Sequence, residues 1–101
     1  MKQTEQSVTG TGFFGTVLVA TVNDLKKVLG KPIYNTNDGE DKINFEWHGE
    51  TESGDIFTVY DWKEYRPLSS TEDVRWYVGG KNHYVTMQAH EEIIQAIIKI
   101  S

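Results

Sequence analysis

Hydrophobic residues in this chain recur with a period that changes along its length, and each change marks a different element. Ile43, Phe45 and Trp47 alternate with Asn44, Glu46 and His48, the mark of a strand with one face buried. Val74, Trp76 and Val78 alternate in the same way with Arg75 and Tyr77. The run FFGTVLVA, from Phe13, is aromatic and β-branched and reads as another strand. DIFTVYDW, from Asp55, is apolar on both faces, with Ile56, Tyr60 and Trp62 on one and Phe57 and Val59 on the other. That pattern predicts a central strand covered on both sides, at least in part.

Two segments switch to helical spacing. Val22, Leu25, Val28 and Leu29 share one face, with Thr21 placed to cap the first turn and Asp24 inside it. Gly30 and Pro32 then stop the helix in the usual order. A second helix is expected from about His83 or Tyr84 to Ile100, with Asn82 as its cap. The order β-α-β-β-β-α predicts an α+β fold, an antiparallel four-stranded sheet with two helices. The polar, aperiodic residues 1–12 are expected to form a flexible tail, and residues 13–101 a single domain.

A chain of 101 residues without cysteine must hold together on one modest core, since disulfides and thiolate metal sites are excluded. The opening residues MKQTEQSVTGTG lack an apolar core, so a secretory signal is not expected. No apolar stretch approaches the roughly 18 residues of a membrane span. These features lead to the expectation of a soluble, cytoplasmic protein. Ten Lys and Arg against 15 Asp and Glu give a net charge of -5, with no basic stripe of the kind general nucleic-acid binding requires.

Familiar chemical templates fail one by one. Gly10 to Gly15 spell G-x-G-x-x-G, but a polar segment precedes them and a strand follows, the reverse of what a phosphate-binding turn needs. The acidic loop Asn35–Asp41 puts Tyr34 and Thr36 at ligand positions and Phe45 where a calcium loop needs Glu. His83 and His90 would share a helix face, yet H-E-x-x-H is absent. No serine sits in a nucleophile elbow. No catalytic residue, metal or cofactor is expected.

One constellation is suited to binding. Tyr60-Asp61-Trp62-Lys63-Glu64-Tyr65-Arg66 and Arg75-Trp76-Tyr77 place aromatics and cations at one end of the sheet. Trp62, Lys63, Tyr65, Arg66, Arg75 and Tyr77 would form a site that stacks a planar group and pairs its charge. The competing reading puts Trp62 and Trp76 in the core, with Lys63 pointing away and Arg66 reaching out from a rim. In the last helix, Val85, Ala89, Ile93, Ala96 and Ile100 should pack on the sheet. Met87, Ile94 and Ile98 form a second apolar group, covered either by the first helix or a loop, or by a second copy of the chain. A homodimer is the favoured expectation.

Gly15-Thr16, Leu29-Gly30-Lys31-Pro32, Phe45-Glu46-Trp47, Val59-Tyr60-Asp61-Trp62-Lys63 and Trp76-Tyr77-Val78-Gly79-Gly80 together resemble a family of small proteins encoded by tailed phages and prophages. The resemblance runs from Gly15 through nearly all of the rest of the chain. Many members have W-H-I-G-G near the last strand, where this chain has Tyr77 in place of the His. The resemblance implies an origin more than an activity. Small accessory proteins of this kind often counter host defence, by gripping a host effector protein or by sequestering a nucleotide immune signal. A non-enzymatic inhibitor acting on a host protein is therefore the leading expectation, with a nucleotide-binding sponge, or a small phage enzyme or structural component, as alternatives.

Overall fold

The computed structural model describes residues Met1–Ser101. The elements are β1 (Lys2–Gln3), β2 (Gly12–Ala20), α1 (Val22–Leu29), β3 (Tyr34–Asn35), β4 (Phe45–Glu50), β5 (Ile56–Tyr60), β6 (Val74–Gly80) and α2 (His83–Ile100). All strand pairs are antiparallel, in the order β1-β4-β5-β6-β2, with β3 also on β4. The α+β architecture is as expected, and β5 is the central strand. Two further strands of two residues each lie one after the other along the outer edge of β4.

Both helices begin where the sequence places them. The Thr21 hydroxyl accepts from the Asp24 N–H at 3.0 Å, and the Asn82 side chain accepts from the Val85 N–H at 3.0 Å. Each satisfies one of the N–H groups that a helix start leaves without a partner. Gly30, at φ +81°, closes α1 by donating to the Lys26 carbonyl.

Alternation along the strands builds the core. Leu18, Trp47, Phe57, Val59, Trp76 and Val78 all point to one face and are fully enclosed, with Leu25 of α1 and Ile93 of α2 over them. Trp47 and Trp76 meet edge to face at 5.4 Å, a favoured geometry for buried rings. Their N–H groups donate to the carbonyls of Gly30 and Ala20, at 2.8 and 2.9 Å, so neither indole carries an unpaired donor inward.

Both helices join this one core, and no helix covers the opposite face of the sheet. The second side of β5 is therefore covered in part, as expected. Thr58 is buried on the open face, while Ile56 and Tyr60 are half-buried.

The last helix packs through Val85, Ala89 and Ile93 as expected, but Ala96 is only half-buried and Ile100 is exposed. Beyond Ile93 it is Ile94 and Ile97 that pack against the core, beside Val28 of α1.

The N-terminal residues also depart from the expected free tail. Lys2 and Gln3 pair with Glu50 and Gly49, Thr4 donates to the His48 carbonyl, and Met1 packs against the core. Gln6 reaches the Glu50 carboxylate at 2.9 Å. The pairing runs through backbone groups, which need no hydrophobic period to form. Removing Met1–Gln6 is expected to lower stability by about 1–2 kcal/mol, read as a shifted denaturant midpoint; an unchanged midpoint would show that the strand adds nothing. No helix is long and apolar enough to cross a membrane.

Candidate functional site

The helix-free face of the sheet carries a row of aromatic side chains. Tyr77 of β6 lies opposite Tyr60 of β5, and the two rings stack at 5.9 Å with 24° between their planes. Phe13 of β2 lies opposite Gly79 and turns its ring edge-on to Tyr77 at 5.1 Å. Trp62 continues the row beyond the end of β5, edge-on to Tyr60 at 6.4 Å. These four rings alone line a hollow of about 330 Å³. A second hollow, of about 390 Å³, opens between Trp62 and Tyr34, Lys42 and Glu46. Trp62 is thus the wall between the two. Its ring is flanked by the ammonium groups of Lys63 and Lys42, at 5.6 and 5.8 Å from its centre.

Gly79 is required here, because a Cβ on it would sit 2.4 Å from the Thr58 hydroxyl. The left-handed turn at Gly15 accompanies a shift in the β2–β6 register between Phe13 and Val17. This is where an extra residue bends an edge strand and re-aims its side chains.

Trp62 is placed by its neighbour. Asp61 ends β5 by turning inward and is completely buried. One of its oxygens accepts from the backbone N–H groups of Asn44 and Phe45 at 2.8 and 2.9 Å, and the other from the Asn44 side chain at 3.0 Å. That carboxylate ties the loop before β4 to the loop after β5. The tie is extended by Lys63 N–H to the Lys42 carbonyl at 2.7 Å. Asn37 also exchanges two hydrogen bonds with the backbone of Leu68. Lys63 and Tyr65 both have positive φ, at 56° and 52°, a conformation uncommon for residues other than glycine.

Of the residues expected to form the site, Trp62, Lys63 and Tyr77 converge. Trp62 is 40% exposed, which corrects its alternative placement in the core; that place belongs to Trp76. Arg75 lies on the open face opposite Val19 and is exposed, one step along β6 from the rings. Tyr65 is exposed on the loop, outside the ring row. Arg66 is turned away, held by Glu72 at 2.5 Å and Glu64 at 3.8 Å. In return, the Arg66 guanidinium keeps the Glu72 carboxyl below its ordinary value.

Phe13, Tyr60 and Lys42 complete the site without having been singled out as site residues. Tyr60 carried a signal, since it stands two before Trp62 and shares its face. Met87 and Ile98 are exposed, and Ile94 is partly covered. No group of three or more His, Asp or Glu side chains is placed to hold a metal ion.

Burial raises the Tyr60 phenol above its ordinary value, with the Glu46 carboxylate and Tyr77 adding to the effect. A raised phenol keeps its proton longer in the folded chain than in the unfolded one. Its contribution to stability is therefore whole below about pH 10 and is lost as pH rises through the folded value. Tyr60→Phe should accordingly flatten the alkaline fall in stability, measured by denaturant titration across that range. An unaltered alkaline profile would contradict this.

Comparison with protein-family models, with curated proteins and with solved structures gives no match.

Proposed function

We propose that this chain is a small non-enzymatic accessory protein of phage or prophage origin, which counters host defence in the bacterial cytoplasm by gripping a host protein with the open face of its sheet. The observation that carries this reading is the uncovered row Phe13–Tyr77–Tyr60–Trp62. A folded domain gains by burying such rings, yet here Phe13 and Trp62 are 47% and 40% exposed. Protein interfaces favour aromatic anchors with charged groups at the rim. Lys42, Lys63 and Arg75 occupy such rim positions. The phage origin rests on the sequence resemblance.

The test is capture from host cells by tagged wild type and by the Tyr77→Ala, Trp62→Ala pair. One protein held by the wild type and released by the double variant supports the reading, and equal capture by both overturns it.

A second reading has its own support. Four rings around one hollow, with two ammonium groups at its wall, also fit a planar nucleotide and its phosphates. The chain would then act by sequestering a nucleotide signal. A cyclic nucleotide present at 100 times its Kd would add about 2.7 kcal/mol of stability, which a thermal-shift screen reads directly. A flat screen removes this reading and leaves the first.

A further inference from the structure

The two edges of the sheet are finished differently. Along β4 the outer edge is taken up by β1 and β3. The outer edge of β2 has no strand beside it, and none of the backbone hydrogen bonds outside the ladders involves Phe13 to Ala20. Natural edge strands are kept from pairing by charges, proline, shortness or cover. β2 is nine residues long, GFFGTVLVA, with no charge and no proline. The bulge near Gly15 disturbs its first half, whereas Val17, Leu18, Val19 and Ala20 run in unbroken register with β6. Val19 is 61% exposed on this strand.

The helix layer is also unfinished on this side. A groove of about 590 Å³ separates Thr16 and Val17 of β2 from His83, Met87 and His90 of α2. Met87 at its wall is 53% exposed, and Ile94 and Ile98 follow on the same helix face at spacings of seven and four.

We infer that β2 pairs with β2 of a second copy, antiparallel across a two-fold axis, so that two sheets become one and the Met87 faces of the two α2 helices meet. The chain's own chemistry selects this occupant. An uncharged strand meets its own copy without like-charge repulsion, although each chain carries a net charge of -5. An antiparallel pair of identical strands is self-complementary, as a two-fold interface must be. Pairing satisfies the free edge and closes the groove together. It also joins the two open faces into one surface with two aromatic rows, so a target with two matching sites would be held with higher avidity. The inference stands independently of which target is bound.

Sedimentation equilibrium of the full chain across the micromolar range tests it, with hydrogen exchange followed on the same samples. The wild type is expected at twice its mass of 11.5 kDa, with those amides of Val17 to Ala20 that point away from β6 more protected as concentration rises. Val19→Lys combined with Met87→Glu should sediment as a monomer with an unchanged circular-dichroism spectrum. Trp62→Ala, away from the edge, should leave the dimer intact. A monomeric wild type overturns the inference, as does a dimer that survives the double variant. Should that variant fail to fold, exchange at β2 that is independent of wild-type concentration overturns it equally.

Discussion

Replacing Asp61 with Ala is expected to cost about 3–5 kcal/mol, a large share of the stability of a domain this size. The carboxylate is wholly buried, and no cation lies within ion-pair distance of it. Its charge is met by the N–H groups of Asn44 and Phe45 and by the Asn44 amide. Hydrogen bonds to a charged group contribute about 1.5–3 kcal/mol each, and donors left unpaired in a buried place add their desolvation cost. Alanine removes every acceptor at once and leaves those donors facing an apolar methyl group. Asparagine keeps one oxygen but turns an NH2 group toward other donors, so Asp61→Asn should lose about half as much.

The readout is the denaturant midpoint at constant m-value. A loss below about 1 kcal/mol would mean that water or a shifted loop replaces the carboxylate. Because Asp61 fixes the loops that carry Lys42, Trp62 and Lys63, binding should weaken together with stability, although Asp61 itself is sealed from any partner.

The parts of the fold that could be read from sequence are those decided by local pattern. Alternation assigns Phe45, Trp47, Trp76 and Val78 to the core side, because successive strand residues face opposite ways whatever their partners. Thr21 and Asn82 announce the helix starts through side chains that bond within their own turn. The misplaced residues lie where a long-range contact decides. Trp62 reads as core only if the face it shares with Tyr60 is covered; the helices lie on the other face, toward which Asp61 turns to meet Asn44 and Phe45, on a segment 16 to 17 residues away. Phe13 joins the rings only because β2 lies beside β6, an order in the sheet that no window of sequence contains. Arg66 leaves the site because Glu72 across the loop claims it. The candidate site was thus half legible: the two strands bearing Tyr60 and Tyr77 carried a signal, and the loop and edge that complete the site did not.

The sharpest division of roles lies between two tryptophans. Trp76→Ala should cost about 3–5 kcal/mol, because it empties a fully enclosed position against Phe45, Trp47 and Leu18. It also leaves the Ala20 carbonyl without the indole donor it now accepts from. Trp62→Ala removes a ring of the same size, yet stability should change by less than about 1 kcal/mol, since only an edge-on contact with Tyr60 and two exposed lysines are lost. Its effect should fall on binding instead. A ring that walls two hollows and anchors an interface is expected to contribute at least about 2 kcal/mol, a loss of roughly 30-fold in affinity on truncation. Trp62→Phe keeps a flat face between the lysines and should recover part of that loss, whereas Trp62→Leu, apolar but not flat, should recover less. Titration calorimetry with the captured partner, beside denaturant unfolding of each variant, separates the two quantities. Trp62→Ala binding at full affinity would remove the aromatic row from the recognition surface, and Trp62→Ala unfolding as readily as Trp76→Ala would make the ring part of the scaffold.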